Sequence, residues 1–458
     1  MTRITIPCMV SIAAVFLFCG GGKASADVSD NGDRAPAVSA RYCDGPLTGK
    51  GVDTGFARGD SNYHAIYHAT DGNVYFVVSS HLSDTHAHLF RYDPVSEEVV
   101  ELADIGVVLG EESGIAIPQG KIHSDIFEHE GRLYFGTHAG FYVRGGTSEL
   151  KPYPGGHFMS FDLATGRFED YGIGAPEEGL ITVAADGDRR RLYALTWPSG
   201  IFIYCDIATR TIRSFGPSVE GHDYTGGVET GTVPRYIGVD PRDGAAYWWD
   251  MNERVVRYSI GSDSIETLED HTFSKPVLHA HQEGQETSLA CWRSLRFNRR
   301  DGKFYGVTYY SEHLVSYDPV SGEVEVIDRI AAGPNRKSGH VSGHASIAFD
   351  LSDDCRYICY APRSGGVHIV TYDLLLRRYV DHGVIRLEDG RTPSNNDSLE
   401  IGRDGSIYLV CTVPVEDMNS KKAQNIMQAR YSDSKESTPK TITEVCLVVV
   451  PNPLKTAE

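Results

Sequence analysis

The chain has 458 residues with a formal charge of −19, 41% apolar residues, 25 tyrosines and 48 glycines. That length allows two or three ordinary domains or one large repeat fold. The negative balance excludes a nucleic-acid partner, which needs a basic face, and admits an anionic polymer only where cations cluster locally.

Residues 1–26 read as a signal peptide: Arg3 is the positive start, an apolar run extends from Met9 to Phe18, and Ala24-Ser25-Ala26 offers a small-x-small cleavage site. A secreted or periplasmic location follows. Past this leader no apolar run is long enough to span a bilayer, so no membrane span is expected. Two of the nine cysteines fall inside the leader, and the odd remainder without a CxxC pair is no disulfide scaffold. Residues 27–60 are small, polar and glycine-rich, a mobile lead-in with a possible tether at Cys43.

From residue 61 to 458 a pattern recurs. An Asp-Gly or Glu-Gly type turn precedes a short strand carrying a tyrosine: Tyr75, Tyr134, Tyr193, Tyr247, Tyr305, Tyr357 and Tyr408. Their spacing is roughly 50 to 60 residues, a repeat period. Behind most of them an alternating strand ends in an aromatic-Asp pair and a turn, as in LFRYDPVSEE, FMSFDLATGR, IYCDIATR and LVSYDPVSGE. Helical periodicity is nearly absent outside Lys422–Arg430. The pattern predicts an all-β chain, a seven-bladed β-propeller of four-stranded antiparallel blades. The apolar run from Val445 to Val450, which has no unit of its own, is expected to close the ring on the first or last blade.

Strands alternate in direction, so the start of the first strand, the end of the second and the start of the third share one face of each blade. That rule gathers Asn62, His64, His81, His86, His88, His123, His138, His157, Trp197, Arg235, Tyr236, Arg254, Cys291, Arg293, Tyr309, Tyr310, His313, His344, Arg363, Asn395, Asn396 and Asp397 on one face. Imidazole, phenol and guanidinium groups there supply a local positive field with acid–base capacity.

The phrases QGKIHSD (119–125), YFGTHAG (134–140), PGGHFMSFD (154–162) and LTWPSG (195–200) resemble secreted propeller-fold polysaccharide lyases, above all ulvan lyases and more distantly oligogalacturonate lyases. The resemblance implies cleavage of a uronate-containing anionic polysaccharide by β-elimination. Such chemistry needs a cation on the uronate carboxylate, a base for the adjacent proton and an acid for the leaving oxygen. Carried over by position, His138 and His157 are catalytic histidines, Tyr236 the partner acid or base, and Arg254 the carboxylate clamp at the end of a second strand. Arg235, Arg257 and Tyr193 compete for the last two places. His123, Trp197, Arg235, Tyr309 and Arg293 are the expected substrate contacts.

Some relatives hold a structural metal, and His279, His281 and Cys291 form a zinc-type donor set, with His344 available. Their spacing matches no compact zinc motif, and a buried free cysteine beside loop histidines is the alternative. Two other functions remain open: a catalytically silent glycan-binding propeller, and a metal-dependent hydrolase or lactonase with Asn62, Asn395, Asn396 and Asp397 as the only candidate ligands. No organic cofactor is expected.

Overall fold

The structure is a computed structural model. It describes residues 38–453 except 44, 113, 142–151, 219–232, 251–252, 274–276, 279–285, 288–291, 309–312, 331, 333–347, 364, 433–438 and 452. Two strands, β1 (Val38–Tyr42) and β2 (Leu47–Asp53), precede the repeat. The first unit is β3 (Ile66–His68), β4 (Val74–Val78), β5 (His88–Asp93) and β6 (Glu98–Asp104), followed by a helical turn, α1 (Ile105–Leu109). The second is β7 (Phe127–His129), β8 (Arg132–Gly136), β9 (His157–Asp162) and β10 (Phe168–Ile173). The third is β11 (Gly179–Asp186), β12 (Arg191–Trp197), β13 (Ile201–Asp206) and β14 (Thr211–Pro217). The fourth is β15 (Gly238–Val239), β16 (Ala246–Trp249), β17 (Arg254–Ser259) and β18 (Ser264–Thr272). A separate two-stranded pairing, β19 (Val277–Leu278) with β20 (Glu286–Thr287), leads to the fifth. That unit is β21 (Trp292–Asn298), β22 (Lys303–Thr308), β23 (His313–Tyr317) and β24 (Val324–Arg329).

Each of these five units is a separate antiparallel four-stranded sheet, so the fold is an all-β propeller. The rest of the chain departs from seven separate blades. β25 (Phe349–Leu351), β26 (Tyr357–Tyr360), β27 (His368–Asp373) and β28 (Arg378–Leu387) form one antiparallel run. β29 (Asn395–Asn396), β30 (Glu400–Ile401), β31 (Ile407–Pro414) and β32 (Thr443–Val450) form a second. The two runs are fused into one ten-stranded sheet because β2 pairs parallel with β28 on one side and antiparallel with β32 on the other. β1 also pairs parallel with β28. The stretch read as a mobile lead-in therefore carries two paired strands. Val445–Val450, read as lacking a unit, lies beside β31 of the last run. The helix expected at Lys422–Arg430 is α2 (Lys421–Tyr431), capped by Ser420, whose Oγ accepts from the Ala423 N–H at 3.1 Å.

Two local devices explain the repeat. In three units the Asp of the Asp-Gly turn takes a hydrogen bond from the repeat tyrosine four residues on: Tyr75 to Asp71 at 2.7 Å, Tyr305 to Asp301 at 2.7 Å and Tyr408 to Asp404 at 2.8 Å. The turn glycine following each Asp has φ between +75° and +84°, which a side chain resists. The aromatic-Asp pairs end the third strands, where the carboxylate caps the next turn, as Asp162 does for the N–H groups of Ala164 and Thr165 at 3.1 and 2.8 Å. All seven repeat tyrosines fall in the strand next to the innermost one. Between neighbouring sheets the core is aromatic, as where Phe202 stacks on Trp248 at 4.5 Å.

Leu447 of β32 is fully buried and lies in register with Val52 of β2 and Val410 of β31. Leu447→Ala is expected to destabilise the whole propeller by about 2–5 kcal/mol, read as a lower urea midpoint with unchanged slope.

Candidate functional site

The segments leading into the innermost strands build the mouth of the ring. Gln119–Asp125 enters β7 alongside the end of β8, where Lys121 and His138 exchange both backbone hydrogen bonds, at 3.1 and 2.8 Å. Glycines make this approach possible: a Cβ on Gly120 would stand 2.4 Å from the Cα of Gly140. On its other side His138 lies directly against β11, where a Cβ on Gly179 would stand 1.8 Å from the imidazole Nδ1.

His123 meets His138 edge-on at 5.6 Å, and His138 meets Trp197 edge-on at 6.2 Å. The His123 Nδ1 lies 3.1 Å from the carbonyl of Ile181, which fixes the proton on that nitrogen in the neutral ring. The other face of the cluster is Tyr63, stacked on His123 at 4.6 Å. His64 stands 6.5 Å from His123 and 6.0 Å from Tyr236.

Burial holds these imidazoles neutral. It lowers the pKa of His64 to about 4 and those of His123 and His138 well below the ordinary histidine value. Arg235 pushes His123 and His138 the same way, Arg293 adds to it at His123, and Lys121 adds to it at His138. Lys121 is itself buried, and its ammonium lies 5.3 Å over the Tyr63 ring. Burial is the main cause that brings its pKa down to about 7, with Asp60 opposing and Arg235 assisting.

Tyr236 faces a different set of partners. Its hydroxyl donates to Asp125 and accepts from Arg296, whose guanidinium bridges Asp125 at 2.9 Å and Asp350 at 2.9 Å. These groups open on an axial cavity of about 300 Å³, lined by residues of β3, β7, β11, β15, β21, β25 and β30. Burial raises the pKa of Tyr236 well above that of a free phenol, an effect that Arg296 opposes and Asp125 reinforces. It raises Asp350 and Glu400 as well.

The structure thus brings together His123, His138 and Trp197, with Arg235 near enough to act on both imidazoles and Arg293 on His123, and reaches Tyr236 through His64. His157 and Arg254 have other partners. His157 opens β9 and pairs with Asp170 of β10 at 3.0 Å. Arg254 opens β17, a third strand, and is not at the end of a second strand as expected; its guanidinium clamps Asp250 at 2.9 and 2.6 Å. Tyr309, His279, His281, Cys291 and His344 lie outside the described residues. Sequence reasoning passed over Lys121, Tyr63, Asp125 and Arg296. Lys121 and Asp125 stand inside the QGKIHSD phrase, and Tyr63 lies between Asn62 and His64; Arg296 gave no signal.

Of the ligand set expected of a metal-dependent hydrolase, Asn62 and Asn395 keep side-chain oxygens buried with no hydrogen-bond partner among the described residues, atoms that a cation could use. Asn62 turns its amide nitrogen to the carbonyls of Ala65 and Val77, at 3.2 and 2.6 Å, and Asp397 pairs with Arg363 at 2.9 Å. Among the described residues, Asp53, Glu444 and Cys446 place ligand atoms within 4.8 Å of one another. Lys422 neutralises Asp53 and Glu444 there, and Arg391 also pairs with Glu444. No helix among the described residues is long and apolar enough to cross a membrane.

The sequence matches no protein-family model, and no curated protein matches it. Among solved structures, the chain is similar to the extracellular domain of a putative hybrid two-component system from B. thetaiotaomicron, at 13% identity and a TM-score of 0.48, covering 79% of this chain and 38% of that one. It is similar to the periplasmic gluconolactonase of Pseudomonas aeruginosa at 13% identity and a TM-score of 0.44, covering 76% and 97%. It is also similar to a putative 6-phosphogluconolactonase from Bacteroides fragilis at 12% identity and a TM-score of 0.44, covering 76% and 92%. Likenesses this distant carry no information on ligand or reaction, and they lend no support to the lyase resemblance.

Gly179→Ala is expected to displace His138 and cost about 1–3 kcal/mol of stability by overpacking. Gly261→Ala, where a Cβ meets nothing within 4 Å, is the control and should stay within about 0.5 kcal/mol of wild type. Chemical denaturation of both variants checks the contrast.

Proposed function

We propose that the mouth is the active site of a hydrolase that opens a sugar lactone with side-chain acid–base groups and cations. The observation that carries this reading is geometric: Lys121 and His138 are held side by side by two backbone hydrogen bonds, the buried Lys121 ammonium lies over Tyr63, and Arg235 is close enough to act on both. In lactone opening, a base takes a proton from water as its oxygen attacks the carbonyl carbon. The cations stabilise the oxyanion, the ring C–O bond breaks, and the proton passes to the departing alkoxide. One base, one water and one cationic flank suffice.

A second reading, β-elimination on a uronate-containing polysaccharide, is favoured by Arg235 and Arg293 acting on His123, since a carboxylate substrate needs such cations. It demands more of the site. The tyrosine expected as its acid or base, Tyr236, is held by Asp125 and Arg296, and its expected clamp, Arg254, by Asp250. The lining of the cavity by seven innermost strands supports counting the fused sheet as two blades, seven in all.

Purified protein should release acid from a six-carbon aldono-δ-lactone above the spontaneous rate, and Lys121→Met should lower that rate at least about a hundredfold. Unsaturated, ultraviolet-absorbing ends from a uronate polymer without lactone opening would favour elimination. Neither product would remove both readings.

A further inference from the structure

At the rim of the mouth three side chains form a hydrogen-bonded line that the lactonase reading has not used. Asp60 and Tyr63 lie in the segment entering β3, and His81 follows the end of β4; Ser61 and Ser79 bridge the two segments. The Asp60 carboxylate accepts from the His81 backbone N–H at 3.0 Å and lies 2.9 Å from the His81 Nδ1. The Tyr63 hydroxyl lies 2.9 Å from the His81 Nε2. An acceptor at Nδ1 places the imidazole proton there, which leaves Nε2 as a lone pair aimed at the phenol.

The ring of Tyr63 is held from its faces. It stacks on His123 at 4.6 Å and carries the Lys121 ammonium 5.3 Å from its centre. His81 is 42% exposed in its side chain, so this line, unlike the buried His138 and Lys121, meets solvent directly. Ser61 adds a hydrogen bond to Asp60 at 2.7 Å. Burial alone would raise the Asp60 pKa, but the hydrogen bonds from His81 and Ser61 outweigh it and keep it a carboxylate.

We propose that Tyr63 is the catalytic proton carrier of the mouth, with His81 activating it and Asp60 positioning His81. The phenol passes its proton to the His81 Nε2, and the resulting imidazolium is held by Asp60. The phenolate takes a proton from the attacking water, whose oxygen bonds to the lactone carbonyl carbon. When the ring C–O bond breaks, Tyr63 gives its proton to the alkoxide and recovers one from His81, so the site returns to its starting state. The reaction served rests on the lactonase reading, whereas the activation of the phenol does not.

Two measurements on the full chain separate these. Tetranitromethane nitrates phenolates, and peptide mapping should find Tyr63 nitrated at least about tenfold faster in wild type than in His81→Gln, the equivalent of one pKa unit. Tyr63→Phe keeps the ring on His123 and should melt like wild type while losing at least about a hundredfold in kcat for lactone opening, with KM little changed. Equal nitration in wild type and His81→Gln, or a Tyr63→Phe enzyme within a few-fold of wild-type kcat, overturns the proposal. His81-dependent nitration in a protein that opens no lactone would sustain the activated phenol and sink the lactonase reading instead.

Discussion

Burying the ammonium of Lys121 is the constraint on which the mouth depends. A charged amine taken out of water costs several kcal/mol unless it is paired or gives up its proton. Its surroundings include the aromatic face of Tyr63, the neutral imidazole of His138, and the opposing fields of Asp60 and Arg235. Burial brings the amine close to neutrality, with Arg235 assisting and Asp60 opposing. The glycines at 120, 140 and 179 serve the same end, since side chains there would separate the two segments that enclose it.

The propeller supplies what such a cluster needs and a single sheet could not. Residues from the entrances of several inner strands converge, while each unit keeps its own hydrogen-bonded ladder and aromatic core. Below the mouth, Arg296 ties Asp125, Tyr236 and Asp350 across three units. This network fixes the spacing of the inner strands from within the axis. It also explains why Tyr236 faces the cavity network and is not presented at the rim.

Much of this was legible in the chain. The tyrosine repeat is visible in part because Tyr75, Tyr305 and Tyr408 each hydrogen-bond the turn aspartate four residues earlier, a contact local enough to leave a fixed spacing. The shared face was legible because strand alternation alone places His123, His138, Trp197 and Arg235 together. What escaped is non-local. The fusion of the last two runs depends on β2, a strand hundreds of residues away whose polar, glycine-rich sequence reads as a linker. Arg296 sits mid-strand in ordinary alternation, and only the folded ring reveals its carboxylates. Arg254 was misplaced by a strand, although Asp250 four residues before it offered a local partner.

The most direct measurement of the account is the ionisation of Lys121 in the intact protein. Its rate of acetylation by a small anhydride, followed by mass spectrometry across pH, should rise with a midpoint near pH 7 and well below the other lysines, given a lysine lowered to about 7. A midpoint at the ordinary lysine value, near 10.4, would mean that the ammonium is not buried as described, and the proposed site would lose its foundation.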